Sequence, residues 1–290
     1  MVLSKERTED REWVMTSEVL VVTKGHPFDQ NAFHAMFDAN PDIVATFVEH
    51  PAAQVILRPE NITAYDAVVF YDMMGIPMGP DSLASAQPPV DYVKSIEALL
   101  DRGVGLVLLN HALVQWPLWP LWQEITGSTF RLTQGEVNGV VVPGSGYRGG
   151  GGEPYRNATH RLSPVGTSHP VTRGLEAGFE ITDELYLRTP LPETADIVPL
   201  LKSDYAFTQA NFNPPPLAPP TEQETWAHED GDNVIVWARR ARNSPVVASE
   251  AGDGPAAYSN PDFQRLLANA ITWVASDDAR AWASNRPKID

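Results

Sequence analysis

The sequence predicts an α/β fold in which helices cover both faces of a doubly wound, mostly parallel sheet. Four apolar, β-branched runs occur within the first 109 residues, segments with helical spacing lie between them, and an amphipathic pattern closes the chain. Such alternation is typical of parallel strands joined by crossover helices. We therefore assign residues 17–278 to one α/β domain with loop insertions, residues 1–16 to a polar arm and residues 279–290 to a C-terminal tail.

The elements of the first half follow from local signals. Asp29 precedes a helical pattern as an N-cap, and Gly103 ends a second helix whose apolar residues recur at helical spacing. In chain order, the predicted elements are a strand at residues 18–23, a helix at 30–38, strands at 43–49 and 66–70, a helix at 90–102 and a strand at 104–109.

The second half is less regular. Residues 144–152 (GSGYRGGGG) predict a mobile loop without helix or strand, and the proline-rich residues 211–220 predict an extended surface segment. A helix is predicted at 261–274, with a proline at its start. Further strands are predicted at 179–187, 197–201, 234–238 and 245–249.

Composition excludes several classes of function. A net charge of −16 disfavours binding to nucleic acid, because phosphates would be repelled. No stretch approaches the roughly 20 apolar residues of a membrane span, and the charged first residues lack a signal-peptide core, so we predict a cytoplasmic protein without membrane contact. The absence of cysteine excludes thiol chemistry, including a cysteine-dependent glutaminase.

Polar side chains follow the ends of the predicted parallel strands. His26, Asp72 and the pair Asn110-His111 each come just after a strand. Because the carboxyl ends of parallel strands meet at one edge, we expect these residues to converge on a crevice. The functional interpretation of His111 is a general acid or base, since imidazole titrates near neutral pH. The alternative is a histidine that only hydrogen-bonds at a strand end.

Asp183 and Glu184 form a second candidate group on the strand predicted at 179–187. Adjacent residues of a strand point to opposite faces, so only one carboxylate is expected to face a shared site. It would act as a base or orient a histidine; the alternative is a solvated strand start. No His-x-His or His-x-x-x-His pair is present, so we predict no metal or other cofactor, with a divalent metal as the less favoured alternative.

Two further catalytic or binding motifs are absent from the sequence. The glycine tract lacks the Gly-Lys-Ser/Thr ending of a phosphate-binding loop, and no Gly-x-Ser-x-Gly elbow is present, which disfavours nucleotide binding and an α/β-hydrolase. The tryptophans Trp116, Trp119 and Trp122 suit a buried core or a subunit interface, with a platform for sugar stacking as a third possibility.

Several motifs together resemble the trehalose-utilisation (ThuA-like) family. They are the strand-Gly-His-Pro-Phe-Asp pattern at 18–29, YDAVVFYDMMG at 65–75, the strand and turn at 103–122, SHPVTRGLEAGFEITDELYL at 168–187, and YSNPDFQRLLANAITWVA at 258–275. The resemblance implies a flavodoxin-like fold of the class I glutamine amidotransferase-like superfamily. It also implies that His111 replaces the cysteine of amidotransferases, and that the protein acts in carbohydrate breakdown.

From this resemblance we expect an enzyme acting on a keto-sugar or related small oxygenated substrate by isomerisation, elimination or hydrolysis. One departure affects the substrate, since many relatives have Gly-His where this chain has Gly252-Asp253. The alternative is a non-catalytic binding or regulatory module. A sugar-like small molecule is the expected partner, and the tryptophan-rich segment suggests a homo-oligomer such as a homodimer. The expected catalytic residues are His111, Glu184 and Asp183, and the expected substrate-binding residues are His26, Asp72, Asn110, Tyr186, Asp253 and Tyr258.

Overall fold

The structure is a computed structural model that describes residues 16–76, 86–137, 140–149, 156–166 and 168–285. The strands are β1 (Ser17–Thr23), β2 (Ile43–Glu49), β3 (Ala67–Phe70), β4 (Gly105–Leu109), β5 (Gly135–Val137), β6 (Val140–Val142), β7 (Gly146–Arg148), β8 (Ala158–Pro164), β9 (Phe179–Asp183), β10 (Leu185–Leu187), β11 (Ile197–Ser203), β12 (Val234–Ala241) and β13 (Ser244–Ser249). The α-helices are α1 (Gln30–Asp38), α2 (Ala52–Ile56), α3 (Val90–Arg102), α4 (Pro120–Thr126), α5 (Pro220–Glu224), α6 (Gly254–Tyr258), α7 (Pro261–Val274) and α8 (Asp277–Ser284).

A nine-stranded sheet in the order β2-β1-β3-β4-β13-β12-β11-β8-β9 forms the centre of the molecule. Its first five strands are parallel. In chain order this half has the 2-1-3-4-5 arrangement of flavodoxin-like folds. Strands β3 and β4 are buried along their whole length, which explains why they are continuous apolar runs rather than alternating patterns. The predicted α/β fold is confirmed.

The other half of the sheet is antiparallel, which the sequence analysis did not predict. Strands β12 and β13 form a hairpin, and β11, β8 and β9 extend the sheet further. Strand β8 has the sequence ATHRLSP and alternates buried with exposed positions over its first five residues. Its buried positions include a histidine, so an apolar pattern does not mark it as a strand.

Four further predictions differ from the structure or lie partly outside its described residues. The glycine tract was predicted to contain no strand, which is wrong for Gly146–Arg148, because this segment pairs as β7 with β10. The single strand predicted at 179–187 is interrupted at Glu184. Residues 279–284, which we expected in the C-terminal tail, belong to α8, where Ala279 and Ala283 are buried. Residues 1–15 of the arm predicted at 1–16, and residues 286–290 of the predicted tail, lie outside the described part of the chain.

Two apolar clusters cover the faces of the sheet. Helix α7 contributes Phe263 and Leu266 to one, and α3 contributes Ile96 and Leu99 to the other. The three tryptophans of the segment after His111 are buried in the second cluster within their own chain, so they offer no surface for a subunit interface. The homodimer therefore stays a prediction. No helix of the described residues is long and apolar enough to cross a membrane.

Candidate active site at the carboxyl edge of the parallel strands

The ends of β1 and β4 bring two histidines together. His26 follows β1, His111 follows β4, and their ring centroids are 3.8 Å apart with planes inclined by 31°. His111 is 3% exposed. The juxtaposition follows from the parallel pairing of β1, β3 and β4, which aligns their carboxyl ends at one edge of the sheet.

The end of β3 contributes Tyr71 rather than Asp72. The ring centroid of Tyr71 lies 5.1 Å from that of His111. Asp72 is fully buried and shares a 3.0 Å hydrogen bond with His50, while Gln115 donates another at 3.0 Å. Both carboxylate oxygens are thus occupied away from the two histidines. The expectation that Asp72 lines the site is corrected here, because successive side chains of an extended segment point in opposite directions.

Asn110 forms the bend between β4 and His111. Its φ is 40°, a left-handed value that is uncommon outside glycine. The side-chain nitrogen of Asn110 donates a 2.8 Å hydrogen bond to the backbone oxygen of Glu250, and its side-chain oxygen accepts a 3.0 Å hydrogen bond from the hydroxyl of Tyr186, whose single proton it shares with Glu184. These two bonds hold the bend, and the bend directs His111 into the site.

Glu184 occupies the break between β9 and β10 and reaches the histidines. Its Oε1 lies 3.8 Å from Nε2 of His111. The hydroxyl of Tyr147 donates a 2.7 Å hydrogen bond to Oε2, and the hydroxyl of Tyr186 donates a short one to Oε1. Glu184 is 3% exposed, so it is a buried carboxyl group whose position two tyrosines define.

Asp183 points away from Glu184, as strand alternation predicts, and stabilises the backbone of a neighbouring loop. Its carboxylate accepts hydrogen bonds from the backbone nitrogens of Gly252 at 2.7 Å and Asp253 at 3.1 Å. It also accepts one from the backbone of Glu184 at 2.9 Å. Asp183 therefore positions residues 252–253 instead of reaching His111.

Asp253 lies beside His111, and together with His26 and Glu184 these residues form the polar floor of the site. Its Oδ1 lies 3.7 Å from Nε2 of His111 and accepts a 3.3 Å hydrogen bond from the hydroxyl of Tyr71. The hydroxyls of Tyr71 and Tyr258 share a hydrogen bond of 2.6 Å. Tyr258 therefore supports Asp253 indirectly, through the hydroxyl of Tyr71.

Burial sets the charges of this floor. It raises the pKa of Glu184 to about 7, with a further rise from Asp253, although the hydroxyls of Tyr186 and Tyr147 oppose it. Burial also lowers the pKa of His111 well below its usual range, with His26 adding to the effect. The pKa of His26 is lowered by burial against an opposing effect of Asp253. At neutral pH both imidazoles are therefore uncharged, despite two carboxyl groups less than 4 Å from His111.

A cavity of about 220 Å³ opens above this floor. Its polar lining comes from the two histidines and Glu184. Tyr147 and Tyr186 each contribute a ring and a hydroxyl. The proline-rich segment predicted as a surface excursion contributes Pro216 and Leu217 to the rim. The apolar and aromatic lining residues are Met73, Val114, Phe130, Leu132, Tyr147, Tyr186, Pro216 and Leu217.

The glycine tract passes close to the floor. A Cβ atom added to Gly149 would lie 2.6 Å from the hydroxyl of Tyr147 and 2.9 Å from Oε2 of Glu184. A side chain at Gly149 would therefore displace the pair that it touches. Glycine at this position lets the backbone approach the carboxyl group.

Comparison with known proteins identifies the family. The model of the ThuA family, described as trehalose utilisation, matches residues 18–274. The chain belongs to the ThuA family. The match covers nearly all of the domain predicted at 17–278 and confirms the resemblance found in the sequence. The order of its parallel strands is that of flavodoxin-like folds.

Solved structures support this ThuA fold. A ThuA-like protein from Parabacteroides merdae ATCC 43184 is 16% identical, with a TM-score of 0.61 and an alignment covering 90% of each chain. A ThuA-like protein from Bacteroides uniformis ATCC 8492 is 17% identical, with a TM-score of 0.59, and the alignment covers 94% of this chain and 96% of that one. At such identities the similarity concerns the fold alone. No curated protein matched.

Four residues of this ThuA site were not predicted from the sequence. Tyr71 lay beside Asp72 in the same cluster, but the sequence does not say which of the two faces the crevice. Tyr147 lies in the glycine tract, where no signal pointed to a site. Glu250 and Arg188 form a buried ion pair at 3.1 Å, and Glu250 also accepts a 2.8 Å hydrogen bond from the backbone of Tyr186. No motif marked either residue.

The same floor contains a group suited to a metal ion. Among the described residues, His26, His111 and Asp253 each offer one ligand atom, and these atoms lie within 4.8 Å of one another. The sequence pattern predicts no metal, because the two histidines are 85 positions apart and form no local motif.

Proposed function

We propose that this ThuA-family protein is an enzyme of carbohydrate breakdown that moves a proton next to the ketone of a keto-sugar derivative. The observation that supports it most directly is the placement of Glu184 and His111. A carboxyl group and an imidazole less than 4 Å apart share the floor of a cavity whose walls are largely apolar. Pockets of this kind, with a few polar groups among apolar walls, are typical of small-molecule sites.

In the proposed reaction, the Glu184 carboxylate accepts the proton from the carbon next to the ketone. The electron pair of that C–H bond moves into the carbonyl, and the negative charge develops on the ketone oxygen. His111 faces this oxygen and stabilises the charge. In β-elimination the electron pair returns to form a C=C bond, the glycosidic C–O bond breaks, and the leaving oxygen takes the proton from Glu184. Isomerisation begins with the same proton removal.

The tyrosines support this assignment in two ways. Their hydroxyls direct the Glu184 carboxyl group, while the rings of Tyr147 and Tyr186, with centroids 6.1 Å apart, form part of the wall. The C–H faces of a sugar ring, or an apolar group attached to it, pack well against such surfaces. Water is kept from the base, which strengthens its interactions with the substrate.

Hydrogen–deuterium exchange tests the proposal before the final product is known. Keto-glucosides incubated with the protein in D₂O are expected to exchange the hydrogen next to the ketone faster than without it, as followed by NMR. Glu184→Gln keeps the size of the side chain and is expected to slow exchange at least about 100-fold. Glu180→Gln, at an exposed position of the same strand β9, is the matched control and should exchange at the wild-type rate.

The result that contradicts the proposal is binding without exchange. If keto-glucosides bind with the stoichiometry of one site and the exchange rate equals that of the protein-free solution, the pocket is a binding module. An exchange rate unaffected by Glu184→Gln would also remove Glu184 from its proposed role.

A further inference from the structure

We infer that the floor of this cavity is a binding site for one divalent transition-metal ion, with His26, His111 and Asp253 as its ligands. The inference goes beyond the proposed reaction, because metal binding is measurable without any substrate. Two of the proposed ligand atoms already lie close together. Nε2 of His111 and Oδ1 of Asp253 are 3.7 Å apart. Two ligands of a tetrahedral ion with bonds of about 2.1 Å are separated by roughly 3.4 Å, so this pair lies close to a coordinating separation, and the ligand atom of His26 lies within 4.8 Å of both.

The histidines have unused hydrogen-bonding capacity. Among the described residues, Nδ1 of His26 and Nδ1 of His111 are buried side-chain atoms without a hydrogen-bond partner. Buried polar atoms are seldom left unpaired in native proteins, so each such atom calls for an explanation. An ion bound by Nδ1 of His26 and by Nε2 of His111, the atom that faces Asp253, would give the first of these unpaired atoms a partner.

The surrounding charge also favours a cation. Glu184 and Asp253 both approach His111, and Asp183 binds the backbone of Asp253. Three carboxyl groups, of which Asp183 and Glu184 are buried and Asp253 is partly buried, therefore lie close together, where like charges repel each other strongly. A divalent ion beside them offsets that repulsion.

Supporting contacts define the position of the carboxylate ligand. The hydroxyl of Tyr71 donates to Oδ1 of Asp253, and Asp183 holds the backbone of the same residue. Carboxylates that bind metal ions are commonly supported in this way by second hydrogen bonds. Glu184 is instead held by Tyr147 and Tyr186, which leaves it beside the ion as the group that carries the proton.

The donor set selects the type of ion. Two imidazoles and one carboxylate suit Zn²⁺ and its first-row neighbours, whereas Mg²⁺ and Ca²⁺ prefer oxygen ligands alone. Three protein ligands leave a coordination position open towards the cavity, as in catalytic zinc sites. An ion there would bind the substrate oxygen and stabilise the charge that develops on it. His111 would then act through the ion.

Metal titration of the full chain tests the inference. Protein stripped with a chelator is titrated with Zn²⁺ and with Mg²⁺ by calorimetry, and Co²⁺ is added as a spectroscopic probe. We expect one Zn²⁺ per chain, no comparable binding of Mg²⁺, and the visible absorption of four- or five-coordinate Co²⁺. His26→Gln, His111→Gln and Asp253→Asn should each weaken Zn²⁺ binding by more than about tenfold.

Two controls separate the possible outcomes. His34→Gln removes a histidine on helix α1 whose ring stacks on Phe47, and it should bind Zn²⁺ like the wild type. Glu184→Gln should retain the ion and lose exchange, so failure of the metal site and failure of the proposed reaction are distinguishable. Circular dichroism without metal shows that each variant is folded. Zn²⁺ binding that is absent, or equal in all three ligand variants and the wild type, would overturn the inference.

Discussion

The hydroxyl of Tyr147 donates a 2.7 Å hydrogen bond to Oε2 of Glu184. It connects the glycine tract to the carboxyl group at the floor of the cavity. Because Tyr147 also contributes its ring to the cavity wall, the hydroxyl and the ring have separable roles.

Tyr147→Phe is expected to slow deuterium exchange by about tenfold, because a hydrogen bond to a carboxylate contributes roughly 1.5–3 kcal/mol and orients it. Keto-glucoside affinity should change little, since the ring remains. Exchange is measured by NMR and affinity by calorimetry. The control is Tyr65→Phe, which lies before β3 at the opposite edge of the sheet and should behave as the wild type. Equal losses of affinity and exchange in Tyr147→Phe would contradict the separation of roles.

The strained bend at Asn110 leads to a second prediction. Both Asn110→Ala and Asn110→Gly lose the hydrogen bonds to Glu250 and Tyr186, which costs on the order of 2 kcal/mol of unfolding free energy. The φ of 40° penalises alanine but not glycine, so Asn110→Gly should be more stable than Asn110→Ala by roughly 0.5–1 kcal/mol. Urea unfolding at equilibrium measures both values.

Asn269 provides the control for this comparison. Its side chain also donates to two backbone oxygens, those of Val171 and Arg173, but it lies within helix α7. In a helix interior, glycine is less favourable than alanine by about 1 kcal/mol. The order of stability should therefore reverse at Asn269. The same order at both positions would show that the backbone of Asn110 is unstrained.

The carboxyl edge of the sheet could be predicted because its signal is local. Apolar runs that end in Gly25-His26 and Asn110-His111 identify two parallel strand ends, and parallel pairing then brings them together. Other parts of the site depend on tertiary structure. Tyr71 and its neighbour are both buried, and which of them faces the histidines depends on the side of the sheet to which each side chain points where β3 ends. Tyr147 reaches Glu184 only because β7 pairs with β10, and composition alone indicated a loop there.

His160 supplies a prediction about pH. This buried histidine in β8 shares a 2.8 Å hydrogen bond with Ser203, and burial lowers its pKa to about 4 against an opposing effect of Asp204. The unfolded chain binds a proton near pH 6.5, whereas the native state does so only near pH 4. The contribution of the buried, uncharged His160 to the free energy of unfolding is therefore complete above about pH 6.5 and is lost as pH falls towards 4.

The wild type should thus lose about 2 kcal/mol more unfolding free energy than His160→Gln between about pH 7 and about pH 5. Urea unfolding at the two pH values measures this. Glu184 and Glu250, whose raised pKa values act in the opposite direction, are present in both proteins and cancel in the comparison. His34→Gln is the control, and it should lose as much unfolding free energy between the two pH values as the wild type does. If His160→Gln loses as much stability as the wild type, His160 is already protonated in the folded protein at about pH 5 and its burial does not exclude the charge.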